Sequence, residues 1–165
     1  PSKFPIMKGA EESAKEESAA KSHTVHTGDV VSEKNSISFM GMPLNWNLEY
    51  PQVKKLKDKL CDLLQTGRMP KSFLSKLMNH YANAGFVGHT IMIPKTYWML
   101  TYDLSRMKER CSTDVHILID NCIREVCDKS RNTLNGKSIT TNYHALELWT
   151  FAARWAELEY RKDKE

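Results

Sequence analysis

Residues 142–162, NYHALELWTFAARWAELEYRK, constrain the fold more than any other stretch. Laid out at about 100° per residue, Leu146, Trp149, Ala153, Ala156 and Tyr160 form one apolar stripe. Leu148, Phe151, Trp155 and Leu158 form a second, on nearly the opposite side. Glu147, Thr150, Arg154, Glu157 and Arg161 are left with a polar strip only about 80° wide. That strip reads as a solvated face with i,i+3 and i,i+4 ion pairs. A helix apolar on so much of its circumference must be covered on most sides. Either it is the central helix of a bundle, or one face packs on its own core and the other on a second subunit. In the second case Leu148, Phe151, Trp155 and Leu158 are the subunit contact.

Four further helices precede it. The first runs from Pro51, a residue suited to the first helical position, to Thr66, with Val53, Leu56, Leu60, Leu63 and Leu64 as its stripe and Gly67 as its stop. The second runs over about 70–84, with Phe73, Leu74, Leu77, Met78 and Tyr81 on its buried face and Gly85 after it. The third starts at Pro94, with Tyr97, Leu100, Leu104, Met107 and Cys111 in register. The fourth starts after Ser112 or Thr113, either of which can cap it, and carries Val115, Leu118, Ile119, Cys122, Ile123 and Val126. The GFVG turn at 85–88 packs two apolar residues, and 129–141 is a polar loop with an Asn135-Gly136 turn. Low glycine and proline agree with an all-α class: a bundle of about five helices over residues 51–165.

The N-terminal third differs. Residues 1–36 are polar, rich in Ala, Ser, Glu and Lys, and read as a tail, with a short helix possible over 10–21. In 37–50, Leu44, Trp46, Leu48 and Tyr50 alternate with Asn45, Asn47 and Glu49, the period of an extended strand with one buried face. With no second convincing strand to pair with, this segment is expected to be an arm that docks in a groove of the same molecule or of a neighbour. Leu44, Trp46, Leu48 and Tyr50 are therefore candidate subunit-interface residues. The layout, a polar arm ahead of a helical core, is similar to that of helical virus coat proteins, although no signature residues carry the likeness.

Charge is distributed unevenly. The chain is +4 overall, yet residues 51–95 hold eight cations and two acids, for +6, while 1–50 come to −2 and 96–165 to zero. A concentrated basic surface attracts polyanions, although lysines on a helix also serve solubility alone. The candidate phosphate contacts are Lys54, Lys55, Lys59, Arg68, Lys71, Lys76 and Lys95, with Arg131 and Lys137 as weaker ones. The first two core helices are expected to line the site with their polar faces. Asn79 and Asn83 are placed to add polar contacts to bases or sugars, and Trp46 or Tyr50 to stack.

Catalytic signatures do not appear. There is no nucleophile elbow, phosphate-binding glycine loop or HExxH, and none of the six histidines falls in a recognisable catalytic spacing. The C-x4-H-x5-C-x4-C run from Cys111 to Cys127 contains no close pair, so the thiols read as small hydrophobes and no metal or cofactor is expected. No apolar run spans a membrane, and residues 1–18 contain no secretory h-region. The cysteines are thus expected reduced, in an intracellular (cytoplasmic or nuclear) or virion setting. The expectation is a non-enzymatic, self-assembling protein that packages nucleic acid, RNA rather than DNA, and whose partners are that nucleic acid and copies of itself. The alternative is a monomeric intracellular helical domain that binds another protein.

Overall fold

The computed structural model describes residues 6–27, 30–128 and 133–162. Among them are six helices and four short antiparallel hairpins, so the protein is mostly helical rather than strictly all-α. The chain divides into two compact units, 1–51 and 52–165.

The first unit opens with α1 (Ile6–Ser22), which has no buried residue. Two hairpins follow, β1 (Val25–Thr27) with β2 (Val30–Ser32), and β3 (Ser36–Phe39) with β4 (Met42–Asn45). The second turns on Met40 and Gly41, both at positive φ (53° and 80°), which is the two-residue geometry that matches strand twist. Glu16 of α1 binds that hairpin, accepting from the Ser38 hydroxyl and from the Gly41 amide at 2.7 Å.

The alternation in 37–50 is therefore not one extended strip. Ile37 pairs with Leu44, and the strand ends at Asn45. The Asn45 side-chain oxygen accepts from the amides of Asn47 and Leu48 at 3.0 and 3.1 Å, and the Glu49 carboxylate accepts from the Asn45 amide at 2.9 Å. Reciprocal bonds of this kind start a helical turn and stop a strand. Fully buried Glu49 also meets His23 Nε2 at 2.7 Å.

α2 (Tyr50–Gln65) leads into the second unit. There α3 (Ser72–Ala82), α4 (Lys95–Lys108), α5 (Thr113–Cys127) and α6 (Ala145–Lys162) assemble. Between α3 and α4 lies the hairpin β5 (Phe86–Val87) with β6 (Thr90–Ile91), and between α5 and α6 the hairpin β7 (Thr133–Leu134) with β8 (Lys137–Ser138). The latter turns on Asn135 and Gly136, at φ 50° and 75°. α6 is the central helix: Tyr143 to Ala153 are buried without a break, against α3, α5 and β7. Fully buried leucines on α3, α4, α5 and α6 (Leu77, Leu100, Leu104, Leu118, Leu146) are each worth about 1.5–3 kcal/mol of burial.

Three polar residues depart from the helical pattern. Glu147 and Thr150, expected on the solvated strip of α6, are buried. Glu147 turns back to accept from the His144 amide at 2.7 Å, which fixes the start of α6, and Thr150 donates to the Leu77 carbonyl of α3. Glu125, on the apolar side of α5, is 1 % exposed. It accepts from Trp149 Nε1 at 2.8 Å and from the amides of Asn135 and Gly136 at 2.8 and 2.6 Å.

Of the cysteines, Cys61 and Cys122 are buried, Cys111 is half-buried and Cys127 exposed. Burial pushes the Cys122 thiol well above its usual range, and the neighbouring Glu125 charge adds to this. His116 Nε2 donates to the Lys108 and Cys111 carbonyls at 2.7 and 3.2 Å, tying the start of α5 to the end of α4.

Candidate nucleic-acid interface

A groove runs between α3 and α4. Its wider part, about 470 Å³, is lined by Lys76, Asn79, His80 and Asn83 of α3, Ile93, and Lys95, Thr96, Met99 and Asp103 of α4. A second depression of about 250 Å³ shares Lys76 and Asp103 and continues to Tyr102, Arg106, Met107, Glu109 and Arg110. The lining holds four permanent cations, Lys76, Lys95, Arg106 and Arg110, against two carboxylates, Asp103 and Glu109.

The arrangement follows from helical periodicity. Thr96, Leu100, Leu104 and Met107 bury one side of α4. Lys95, Met99, Asp103, Arg106 and Arg110 fall beside that side, within an arc of about 80° that faces the groove. Lys76, Asn79 and Asn83 recur every three or four residues on α3 and so share its face. Asp103 joins the two helices: its Oδ1 takes Lys76 at 2.9 Å and its Oδ2 takes His80 Nε2 at 3.0 Å. The Lys76 ammonium, with His80, holds the Asp103 carboxyl below its ordinary value.

The groove thus brings together four residues singled out from the sequence, Lys76, Asn79, Asn83 and Lys95. The others lie elsewhere. Lys54, Lys55 and Lys59 are exposed on α2, with Lys54 bonded to Asp58 at 2.9 Å. Arg68 bridges Asp62 and, at 2.8 Å, Asp114 in the first turn of α5. Lys71 lies 4.8 Å over the Tyr160 ring. Lys137 is exposed on β8, and Arg131 is outside the described residues. Lys57, part of the same basic run, is buried between Asp58 and Glu159 at 2.6 and 2.7 Å, 5.0 Å over the Trp155 ring. Burial pulls its ammonium down, but the hydrogen bonds to Asp58 and Glu159 outweigh it and hold Lys57 above the ordinary lysine value.

Among the candidate interface residues, Leu44, Leu148 and Phe151 are buried. Leu48 and Tyr50 are half-buried, and the Tyr50 ring lies tilted at 60° against the 44 % exposed Trp46, with centroids 4.9 Å apart. At the far end of α6, Trp155 is half-buried and Leu158 is 48 % exposed, so these two remain at the surface.

Sequence reasoning missed Arg106, Arg110, Trp98 and Tyr102. Trp98 and Tyr102 sit off the apolar stripe of α4 and are 61 % and 57 % exposed. The signal was available: large aromatics four residues apart, on the side opposite a complete apolar stripe, have no core to enter. Among the described residues no helix is long and apolar enough to cross a membrane, and no group of His, Cys, Asp or Glu is arranged to hold a metal ion. Comparison of the chain with protein-family models, characterised proteins and solved structures gives no match.

Proposed function

We propose that this protein is a non-enzymatic nucleic-acid-binding structural protein that packages RNA, holding the phosphate backbone in the α3–α4 groove and associating with copies of itself. The observation that carries the reading is the groove's lining of Lys76, Lys95, Arg106 and Arg110 around Asn79 and Asn83. Cationic side chains next to amides suit a backbone contacted without sequence preference. Self-association draws support from Trp155 and Leu158, which leave apolar surface at the end of an otherwise covered helix. Lys54, Lys55 and Lys59 extend the footprint only if the strand also crosses α2.

The first test is the particle mass of the purified full chain, with its 260/280 nm absorbance ratio. A particle far heavier than 19.0 kDa, with a nucleic-acid-like ratio that collapses on nuclease treatment, is the expected result. The second is the salt dependence of RNA binding. On a single strand, each cation removed from a phosphate lowers the slope of log K against log salt by about 0.7, so K76Q/R106Q/R110Q lowers it by about 2. K54Q/K55Q/K59Q lowers it similarly only if α2 belongs to the footprint. A monomer with a protein-like ratio and no RNA binding would overturn the proposal. It would favour an interaction domain docking through the exposed Ile93 and Met99.

A further inference from the structure

We infer that the ligand of the groove is single-stranded, with bases splayed onto Trp98 and Tyr102 and the backbone held by the adjoining cations. This rests on the proposed nucleic-acid reading and narrows it.

Three observations support the inference. First, Trp98 and Tyr102 are 61 % and 57 % exposed, on the one helix that also supplies Lys95 and Arg106 to the groove, with Arg110 just past its end. At about 100° per residue they flank the cationic arc of α4 on the side away from its buried stripe. A base stacked on either ring would therefore leave its phosphate next to the groove. Second, Arg106 is already organised around Tyr102. Its Nη1 donates to the Tyr102 hydroxyl at 3.0 Å, and its guanidinium carbon lies 5.7 Å from the ring centroid. The cation and the stacking platform are thus one unit, with less side-chain freedom to lose on binding.

Third, a duplex offers these rings nothing to stack on. Inside a double helix each base is already covered on its faces by its neighbours, so a ring exposed on α4 reaches a base face only where the strand is unpaired and its bases have come apart. Base–aromatic stacking also tolerates any sequence, because every base has a π-face. Asn79 and Asn83, across the groove on α3, are placed to meet the polar edges of bases or sugars.

The test compares fluorescein-labelled oligo(U) of about 20 nucleotides, longer than the ~4–16 nucleotides typical of one single-strand site, with an RNA duplex of equal length. Anisotropy titrations of the full chain are run from about 50 to 200 mM salt. The single strand is expected to bind at least about tenfold tighter than the duplex. W98A and Y102A are each expected to weaken single-strand binding about 5- to 100-fold, with the salt slope unchanged. W98F, which keeps a ring, should retain most of the affinity. Because Trp98 and Tyr102 are exposed, unchanged circular dichroism melts are expected for all three variants. Duplex binding as tight as single-strand binding would overturn the inference. So would undiminished affinity in W98A and Y102A while R106Q/R110Q loses affinity and about 1.4 of salt slope, and that pattern would leave the groove reading standing. Binding of neither probe would overturn both.

Discussion

Replacing Glu125 with Gln keeps the shape of a buried side chain and removes what it does. In the native protein one carboxylate serves three donors: Trp149 Nε1 and the Asn135 amide on Oε2, and the Gly136 amide on Oε1. An amide has one acceptor oxygen. In its better orientation the introduced glutamine keeps Trp149 and Asn135 and turns its NH₂ toward the Gly136 N–H, donor against donor. One bond to a charged acceptor is lost, worth about 1.5–3 kcal/mol, and the other two lose their charge assistance. Gly136 is exposed, so water recovers part of the loss at that amide. The net cost is about 2–3 kcal/mol. At roughly 2–4 °C per kcal/mol for a chain of this length, Tm falls by about 4–12 °C. Glu125→Ala orphans all three donors and costs more. Urea and thermal unfolding give the global number. Proton exchange at the Trp149 indole N–H and at the Asn135 and Gly136 amides gives the local one. If E125Q unfolds within about 0.5 kcal/mol of the wild type with indole exchange unchanged, Glu125 is not what joins α5, α6 and the β7–β8 turn.

Two further outcomes follow from the charged pairs. Asp103→Asn removes a negative charge from the groove and releases Lys76, so oligo(U) affinity is expected to rise about three- to tenfold. Asp103 is held low by Lys76 and His80, so its stabilising contribution is present above the ordinary carboxylate range and lost as pH falls through its lowered pKa; D103N should remove that loss from acid unfolding curves below about pH 4. Lys57→Met leaves Asp58 and Glu159, whose side chains are 46 % and 42 % exposed, free to rehydrate while the methionine still packs on Trp155, so stability near pH 7 changes by no more than about 1 kcal/mol. The Lys57 contribution is complete below the ordinary lysine value of 10.5 and lost as pH rises through its raised pKa, so wild type should weaken more than K57M in urea midpoints taken near pH 11.

The helical core was legible because its signals are local and redundant. Val53, Leu56, Leu60, Leu63 and Leu64 are all buried on α2, and Leu100, Leu104 and Met107 on α4. What escaped was decided by hydrogen bonds rather than by hydropathy. Tyr50 and Leu48 look like strand positions until Asn45 and Glu49 cap the turn between them. Glu125 and Glu147 look solvated until their acceptors are matched to a turn and a helix start that lie ten or more residues away or one turn back. A buried carboxylate carries no hydropathic signature. Only the count of donors it satisfies makes it tolerable in a core.

The candidate site shows the same division more sharply. Counting charge along the chain pointed to residues 51–76, but a linear count treats buried Lys57 like exposed Lys55 and treats Arg68 as available although two aspartates hold it. The same count gave zero for residues 96–165 and so hid Arg106 and Arg110. That zero counts acids committed elsewhere: Asp114 to Arg68, which lies outside the segment, and Glu125 to Trp149 and two backbone amides. With those acids engaged at other points of the fold, Arg106 on α4 and Arg110 just past its end face the groove, whose lining opposes them with Asp103 and Glu109, and Asp103 is already shared between Lys76 and His80. A polyanion meets the charge left over after internal pairing. Part of that remainder lies on α2, with Lys55 and Lys59, and part between α3 and α4, beside two exposed aromatic rings.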